Sequence, residues 1–249
     1  MLGLSLGLSL GNPIFAPGGG YDPVEALGPK LLAYWRDNLG IDQSAGLVGA
    51  WLDTKGGFAP TQATAGFKPA LGDGIEFDGT DDYLRIAYGT GTALPNGAAP
   101  FEILMLVRQD APVSNSTARD VFAIGNTGNA SCFVRRQIID GANALRFFVG
   151  DGSALAAATA VGDFSGWCVV RCRVTSTFAY ASLNGLAEVR ASVAPNISTS
   201  GNITFGTGRS TPAGFHDGAI AESAVINGSL TDDEWAAYLA YAKARKGIA

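Results

Sequence analysis

The stretch Gly74-Ile75-Glu76-Phe77-Asp78-Gly79-Thr80-Asp81-Asp82-Tyr83-Leu84-Arg85-Ile86 carries the fold signal of this chain. Ile75 and Phe77 alternate with Glu76 and Asp78, Asp78-Gly79 supplies a turn, and Leu84 and Ile86 resume the alternation. A two-residue period on both sides of an Asp-Gly turn is the pattern of a β-hairpin with one buried face.

Outward from this stretch, further short strands are expected at 101–108, 120–124, 132–136, 145–149, 167–175, 178–183, 187–191, 203–205 and 219–226. Turns at Asn126-Thr127-Gly128, Asp140-Gly141, Asp151-Gly152, Asn184-Gly185 and Asn227-Gly228 separate them. Many short strands with close-set turns make an antiparallel sandwich or jelly roll. Asn184-Gly185 is the strongest hairpin signal, because a two-residue turn of this kind needs positive φ at both positions.

With 249 residues, 47% hydrophobic and 16% charged, the chain can bury one full core and carry an N-terminal extension. A net charge of -5 argues against nonspecific attraction to the nucleic-acid backbone. No run of 18 apolar residues occurs, so no membrane span is expected. Cys132, Cys168 and Cys172 fit no metal-binding array and read as buried apolar residues, in keeping with assembly in a reducing cytoplasm.

The two ends differ from the middle. Leu2, Leu4, Leu6, Leu8 and Leu10 alternate with glycine and serine, which predicts an extended arm over 1–20 that docks by its leucine face on a partner. Residues 21–46 read as a helical lead-in: Asp22 caps, Pro23 opens, and Leu27, Leu31, Leu32, Tyr34 and Trp35 recur at near-helical spacing, with a break at Gly28-Pro29. At the other end Thr231 and Glu234 form a capping box for a helix over 231–246, with Trp235, Tyr238, Leu239 and Ala242 on one face.

The block from Phe77 to Leu84 resembles the early strand-turn-strand of concanavalin A-like lectin/glucanase domains of the laminin-G type. Trp51-Leu52-Asp53, Pro60-Thr61-Gln62-Ala63-Thr64 and Lys68-Pro69 are similar to the lead-in of the versions carried by tailed-bacteriophage structural proteins. Trp167, Asn184-Gly185, Gly218-Ala219-Ile220-Ala221-Glu222 and Leu230-Thr231-Asp232-Asp233-Glu234 follow in family order, so the resemblance spans 47–249. It implies an all-β protein: an antiparallel β-sandwich, a concanavalin A-like jelly roll, with the N-terminal arm, a short N-terminal helix and the C-terminal helix.

The sandwich hosts lectins, glycosidases and structural modules alike, so function rests on sites. The glucanases of this superfamily carry Glu-x-Asp-x-x-Glu on one strand, and the nearest match is Glu76-Phe77-Asp78-Gly79-Thr80-Asp81. Gly79-Thr80 turns Asp81 off the strand, so catalysis is not expected there. The single histidine, His216, lies in a Gly-flanked loop with no nucleophile elbow elsewhere. Asp78, Asp81 and Asp82 gather three carboxylates at one turn, where they either close the turn or offer oxygens to Ca2+. Tyr83, Tyr88 and Tyr180 are the exposed aromatics a sugar would stack on, while Trp51, Trp167 and Trp235 are assigned to the core.

The expectation is a non-enzymatic virion structural protein of a phage tail, fibre or capsid decoration, assembled in the bacterial cytoplasm without a required cofactor. It would join other virion proteins through its arm, form a homo-oligomer, and display a lectin-like sandwich toward host-surface polysaccharide. The alternatives are a free lectin and a polysaccharide hydrolase.

Overall fold

A computed structural model describes residues 20–55, 57–89, 94–95, 97–110, 118–125, 129–164, 166–198, 200–208 and 213–249. The leucines of the arm and the Asn126-Thr127-Gly128 turn lie outside the described residues.

A short helix, α1 (Pro23–Leu27), precedes strands β1 (Leu31–Arg36), β2 (Ile41–Ser44), β3 (Leu47–Trp51), β4 (Ala70–Leu71), β5 (Ile75–Asp78) and β6 (Leu84–Tyr88). Then come β7 (Phe101–Gln109), β8 (Arg119–Gly125), β9 (Ser131–Ile139), β10 (Ala142–Gly150) and β11 (Leu155–Val161). The chain continues through β12 (Trp167–Val174), β13 (Phe178–Leu183), β14 (Val189–Ser192), β15 (Gly201–Phe205) and β16 (Asp217–Asn227) to the helix α2 (Asp232–Lys246).

The strands form two antiparallel sheets that pack into a sandwich, as the sequence predicted. One is ten-stranded, in the order β14-β13-β12-β7-β16-β5-β4-β3-β2 with β1 also paired to β16. The other is six-stranded, in the order β11-β10-β9-β8-β15-β6.

The stretch at 74–86 is not a hairpin. β5 pairs with β4 and β16 in the ten-stranded sheet, whereas β6 pairs with β15 in the six-stranded one. The Asp-Gly turn hands the chain from one sheet to the other, and Ile75, Phe77 and Leu84 enter one core from opposite sides. Around Phe205 in that core stand Trp35, Trp51 and Phe122, with ring centroids 5.1, 5.1 and 4.9 Å away.

Residues 21–46 are also not a helical lead-in beyond α1. Asp22 caps α1 and Pro23 opens it, as expected, but β1 and β2 are strands of the ten-stranded sheet. The run Leu31-Leu32-Ala33-Tyr34-Trp35 is apolar throughout because both its faces are covered. Trp35 enters the inter-sheet core, while Tyr34 faces a second core on the back of the sheet. A continuous apolar run of this length does not distinguish helix from buried strand.

That second core joins Leu104, Leu106, Val169 and Ile226 to Tyr238 and Ala242 of α2. The capping box forms as read: Thr231 Oγ1 accepts from Glu234 N at 3.2 Å and Glu234 Oε2 from Thr231 N at 2.7 Å. Of the assigned tryptophans only Trp51 is fully buried. Trp235 is half-buried over Arg171, and Trp167 lies beside Lys246 and Arg108 with its indole N–H on Asp73. Cys132, Cys168 and Cys172 are buried free thiols.

Glu102 fastens this back layer. Its buried carboxylate accepts Arg171 Nε and Nη2 at 3.0 and 2.9 Å and Leu230 N at 3.0 Å, just before α2. Removing it leaves the buried Arg171 guanidinium only the longer 3.7 Å contact with Glu188 and leaves the Leu230 amide without its acceptor. Glu102→Ala is therefore expected to cost about 3–5 kcal/mol of stability, read as a lower urea midpoint at unchanged slope.

Candidate functional site

The turn that switches sheets is built from its own acids. Asp78 Oδ1 accepts from Thr80 N at 2.8 Å and Asp81 N at 3.3 Å, and Asp82 Oδ2 accepts from Asp78 N at 3.1 Å. Gly79 sits at φ 75°, where a Cβ would lie 2.7 Å from the Cβ of Asp217. The three carboxylates do converge, with one oxygen of each within 4.8 Å of the others. Yet Ca2+ takes about six to eight oxygens, and two of these side chains are already committed to backbone amides. Asp82 is buried, and burial pushes its carboxyl up to about 6, with the Asp78 and Asp81 charges adding to the effect. The arrangement fits turn closure better than a Ca2+ cage.

Glu76 stands on the same side of β5 as Asp78 and bonds Arg108 Nη2 at 2.7 Å, while Asp81 has left the strand with the turn. The glucanase spacing is thus not reproduced in space. His216 is fully buried beside Phe77, and burial together with the Arg136 charge holds its imidazole down to about 3.

The three tyrosines do not form a platform. Tyr88, expected to be exposed, is buried at the end of β6. Tyr83 stacks on Phe67 beneath Arg85, and Tyr180 lies in the other sheet under Arg173, 4.0 Å from its guanidinium carbon.

A different cluster occupies the outer face of the six-stranded sheet. Cys132, Val134, Leu145 and Phe147 point into the core, so alternation places Phe133, Arg135, Arg146 and Phe148 on the opposite face. The register opposes Phe133 to Phe148 and Arg135 to Arg146. The two rings stack at 4.5 Å with 8° between planes, Arg146 lies 4.5 Å over Phe148, and Arg135 lies 5.0 Å over Phe133. Asp120 takes Arg135 in a fork at 2.6 and 3.0 Å, and Gln137 Oε1 accepts from Arg146 Nη1 at 3.2 Å.

Reading single strands missed this cluster. The signal that finds it is Asp140-Gly141, with φ of 50° and 80°, because a two-residue turn fixes which residues of β9 and β10 face each other.

A second feature lies where the described chain begins. Gly20 and Tyr21, with Ala237, Ala240, Tyr241, Ala244 and Arg245 of α2, line a groove of about 540 Å³. Tyr21 and Tyr241 pack ring to ring at 5.2 Å on its wall.

No known family profile matches this chain, and no curated protein matches it. Solved structures do. Domain 4 of AbnA, a GH43 extracellular arabinanase from Geobacillus stearothermophilus, in complex with arabinotriose, is 16% identical with a TM-score of 0.55, over 87% of this chain and 98% of that one. The binding domain of botulinum neurotoxin serotype D is 9% identical with a TM-score of 0.62, over 88% and 52%. A mutant GH54 α-L-arabinofuranosidase is 14% identical with a TM-score of 0.58, over 80% and 51%. The chain thus spans about half the length of the last two. At these identities the likeness is one of fold: a lectin-like β-sandwich.

The state of Asp82 has a pH signature. The unfolded chain releases this proton near 3.8 and the folded chain near 6, so folding weakens as pH rises through that window. His216 acts oppositely, since its ring stays neutral when folded and stability falls as pH drops below 6.5. The difference between wild type and Asp82→Asn isolates the first effect. Urea unfolding from pH 4 to 7 should show the variant gaining on wild type as pH rises.

Proposed function

We propose that this chain is a non-enzymatic structural component of a phage or phage-like virion, and that its lectin-like sandwich binds carbohydrate on the host surface. The observation that carries the binding half is the Arg135–Phe148–Arg146 cluster on the outer face of the six-stranded sheet, held by Asp120 and Gln137. Its rings hold guanidinium donors in fixed orientations, and oriented donors are what polar ligands such as sugars require. Two neighbours in fold are named as arabinan- or arabinose-handling proteins, one of them with a bound arabinotriose.

The virion half rests on the sequence resemblance and on the alternating Leu2, Leu4, Leu6, Leu8 and Leu10. In this reading the arm docks on other virion proteins, and repetition on a symmetric particle makes the chain a homo-oligomer. The arm joins the sandwich beside the groove at Gly20 and Tyr21. Three unpaired thiols accord with assembly in a reducing cytoplasm. Ca2+ is not needed for this binding mode.

Two experiments test the halves separately. The full chain, multimerised for avidity and applied to a glycan array with Ca2+ and with chelator, should bind a restricted set of glycans in both conditions. An empty array removes the lectin reading, and release of reducing sugar from a bound glycan replaces it with a hydrolase. Deleting residues 1–19 should abolish incorporation into particles while glycan binding persists; undiminished incorporation rules out the arm as anchor.

A further inference from the structure

Arg146 is a cation without a counter-ion. Every Asp and Glu of the chain lies among the described residues, and none comes within ion-pair distance of this guanidinium. Its Nη1 donates to the neutral Gln137 amide oxygen at 3.2 Å. The residue directly across the strand pair is Arg135, a like charge. Like charges directly opposite on antiparallel strands destabilise a sheet. Asp120 neutralises Arg135 alone, through both of its oxygens. Arg36, Arg85, Arg136 and Arg190 likewise have no acid within ion-pair distance; at Arg146 the unpaired guanidinium is half-exposed and faces a second one directly across the strands.

The geometry also restricts what could sit there. Phe148 already carries Phe133 against it at 4.5 Å and Arg146 over it at 4.5 Å, so its ring is poorly placed to receive a sugar face. Stacking fixes the plane of the guanidinium; its Nε is buried without a partner and Nη1 bonds Gln137, so the Nη1–Nη2 edge is the side left to meet a carboxylate or sulfate oxygen pair. Half-burial and the Arg135 charge both pull the guanidinium's pKa down, so an anion would relieve that strain.

We infer that Arg146, with Gln137 and the Arg135–Asp120 pair beside it, is a subsite for the oxyanion of an acidic sugar, a uronate carboxylate or a sulfate ester. This rests on the carbohydrate-binding reading above and specifies its ligand class. The subsite takes one anionic group, with the remainder of the glycan running along the sheet edge toward Thr159, which faces Arg146 from β11.

The test is calorimetric titration of the full chain with tetragalacturonate, with its fully methyl-esterified counterpart, and with a sulfated galactan oligosaccharide. Binding of tetragalacturonate or the sulfated probe, with the methyl ester at least tenfold weaker, is expected, and whichever binds better identifies the oxyanion. Arg146→Gln should weaken the acidic probe about tenfold to a hundredfold, the loss of one charge-assisted hydrogen-bonded pair. Arg146→Lys, which keeps the charge without the fork, should fall between. Raising the salt should weaken wild-type binding and leave the Arg146→Gln variant nearly unaffected. Unchanged urea unfolding of the variants shows that the fold is intact. Equal affinity for acid and methyl ester, or an Arg146→Gln variant that binds as wild type does, overturns the subsite while leaving the lectin reading in place. Failure of acidic and neutral glycans alike on the array overturns both.

Discussion

The sandwich depends on one turn that must reverse the chain without pairing its two sides. β5 ends at Asp78 in one sheet and β6 starts at Leu84 in the other. The turn's amides therefore cannot find partners in a hairpin ladder. Asp78 and Asp82 supply those acceptors from their own side chains, and Gly79 takes the turn's left-handed φ and, lacking a Cβ, leaves room for Asp217. Backbone N–H groups left bare in such a place would cost the stability that the turn provides. With the acceptors supplied locally, Phe77 and Leu84 reach the same core from opposite sheets.

A second constraint follows from how the ten-stranded sheet is covered. β7 and β16 are buried on both faces, against the inter-sheet core and against α2. Charged residues on their back face must then be paired in place. Glu102 takes Arg171, and Glu222 takes Arg245 Nη1 at 2.7 Å and Tyr241 Oη at 3.0 Å. Arg245 also bonds Asp37, just after β1. These pairs give α2 a defined register over the sheet, which apolar contacts alone specify less sharply. Burial raises the Glu222 carboxyl, and the nearby Arg245 charge opposes the shift.

How much of this was readable follows from what each pattern encodes. Alternation at 75–77 and 84–86 marks two strands, but a hairpin and a sheet-to-sheet crossing share that pattern, because pairing partners are not encoded in period. The capping box, Asn184-Gly185 and Asp140-Gly141 were legible because each is a local hydrogen-bonding or φ requirement. β1 was misread because a strand covered on both faces loses its alternation, and Leu27, Leu31, Tyr34 and Trp35 happen to fall at helical intervals. β11, in Leu155-Ala156-Ala157-Ala158-Thr159-Ala160-Val161, gave no signal, since alanine serves either face. Trp167 and Trp235 were assigned to the core, whereas each lies against cationic side chains that cover it.

The same contrast separates the expected sites from the one the sheet assembles. Asp78, Asp81 and Asp82 were visible because they are neighbours in sequence, and neighbours in sequence at a turn most readily serve the turn. Tyr83, Tyr88 and Tyr180 were chosen one by one and are held apart by the two sheets. Arg146 became informative only when register placed Arg135 beside it and showed that Asp120 serves the other arginine alone. Some arginines of the fold meet acids, Arg108 with Glu76, Arg173 with Glu188 and Arg245 with Glu222, whereas Arg85, Arg136 and Arg190 rest on Tyr83, Phe164 and Phe178 without one. Arg146 belongs with the second group, resting on Phe148, and is half-exposed with a like charge, Arg135, directly across the strands. Its contact with the Phe148 ring offsets part of the repulsion from Arg135. In the proposed subsite an oxyanion would offset the rest, meeting donor and charge in one contact.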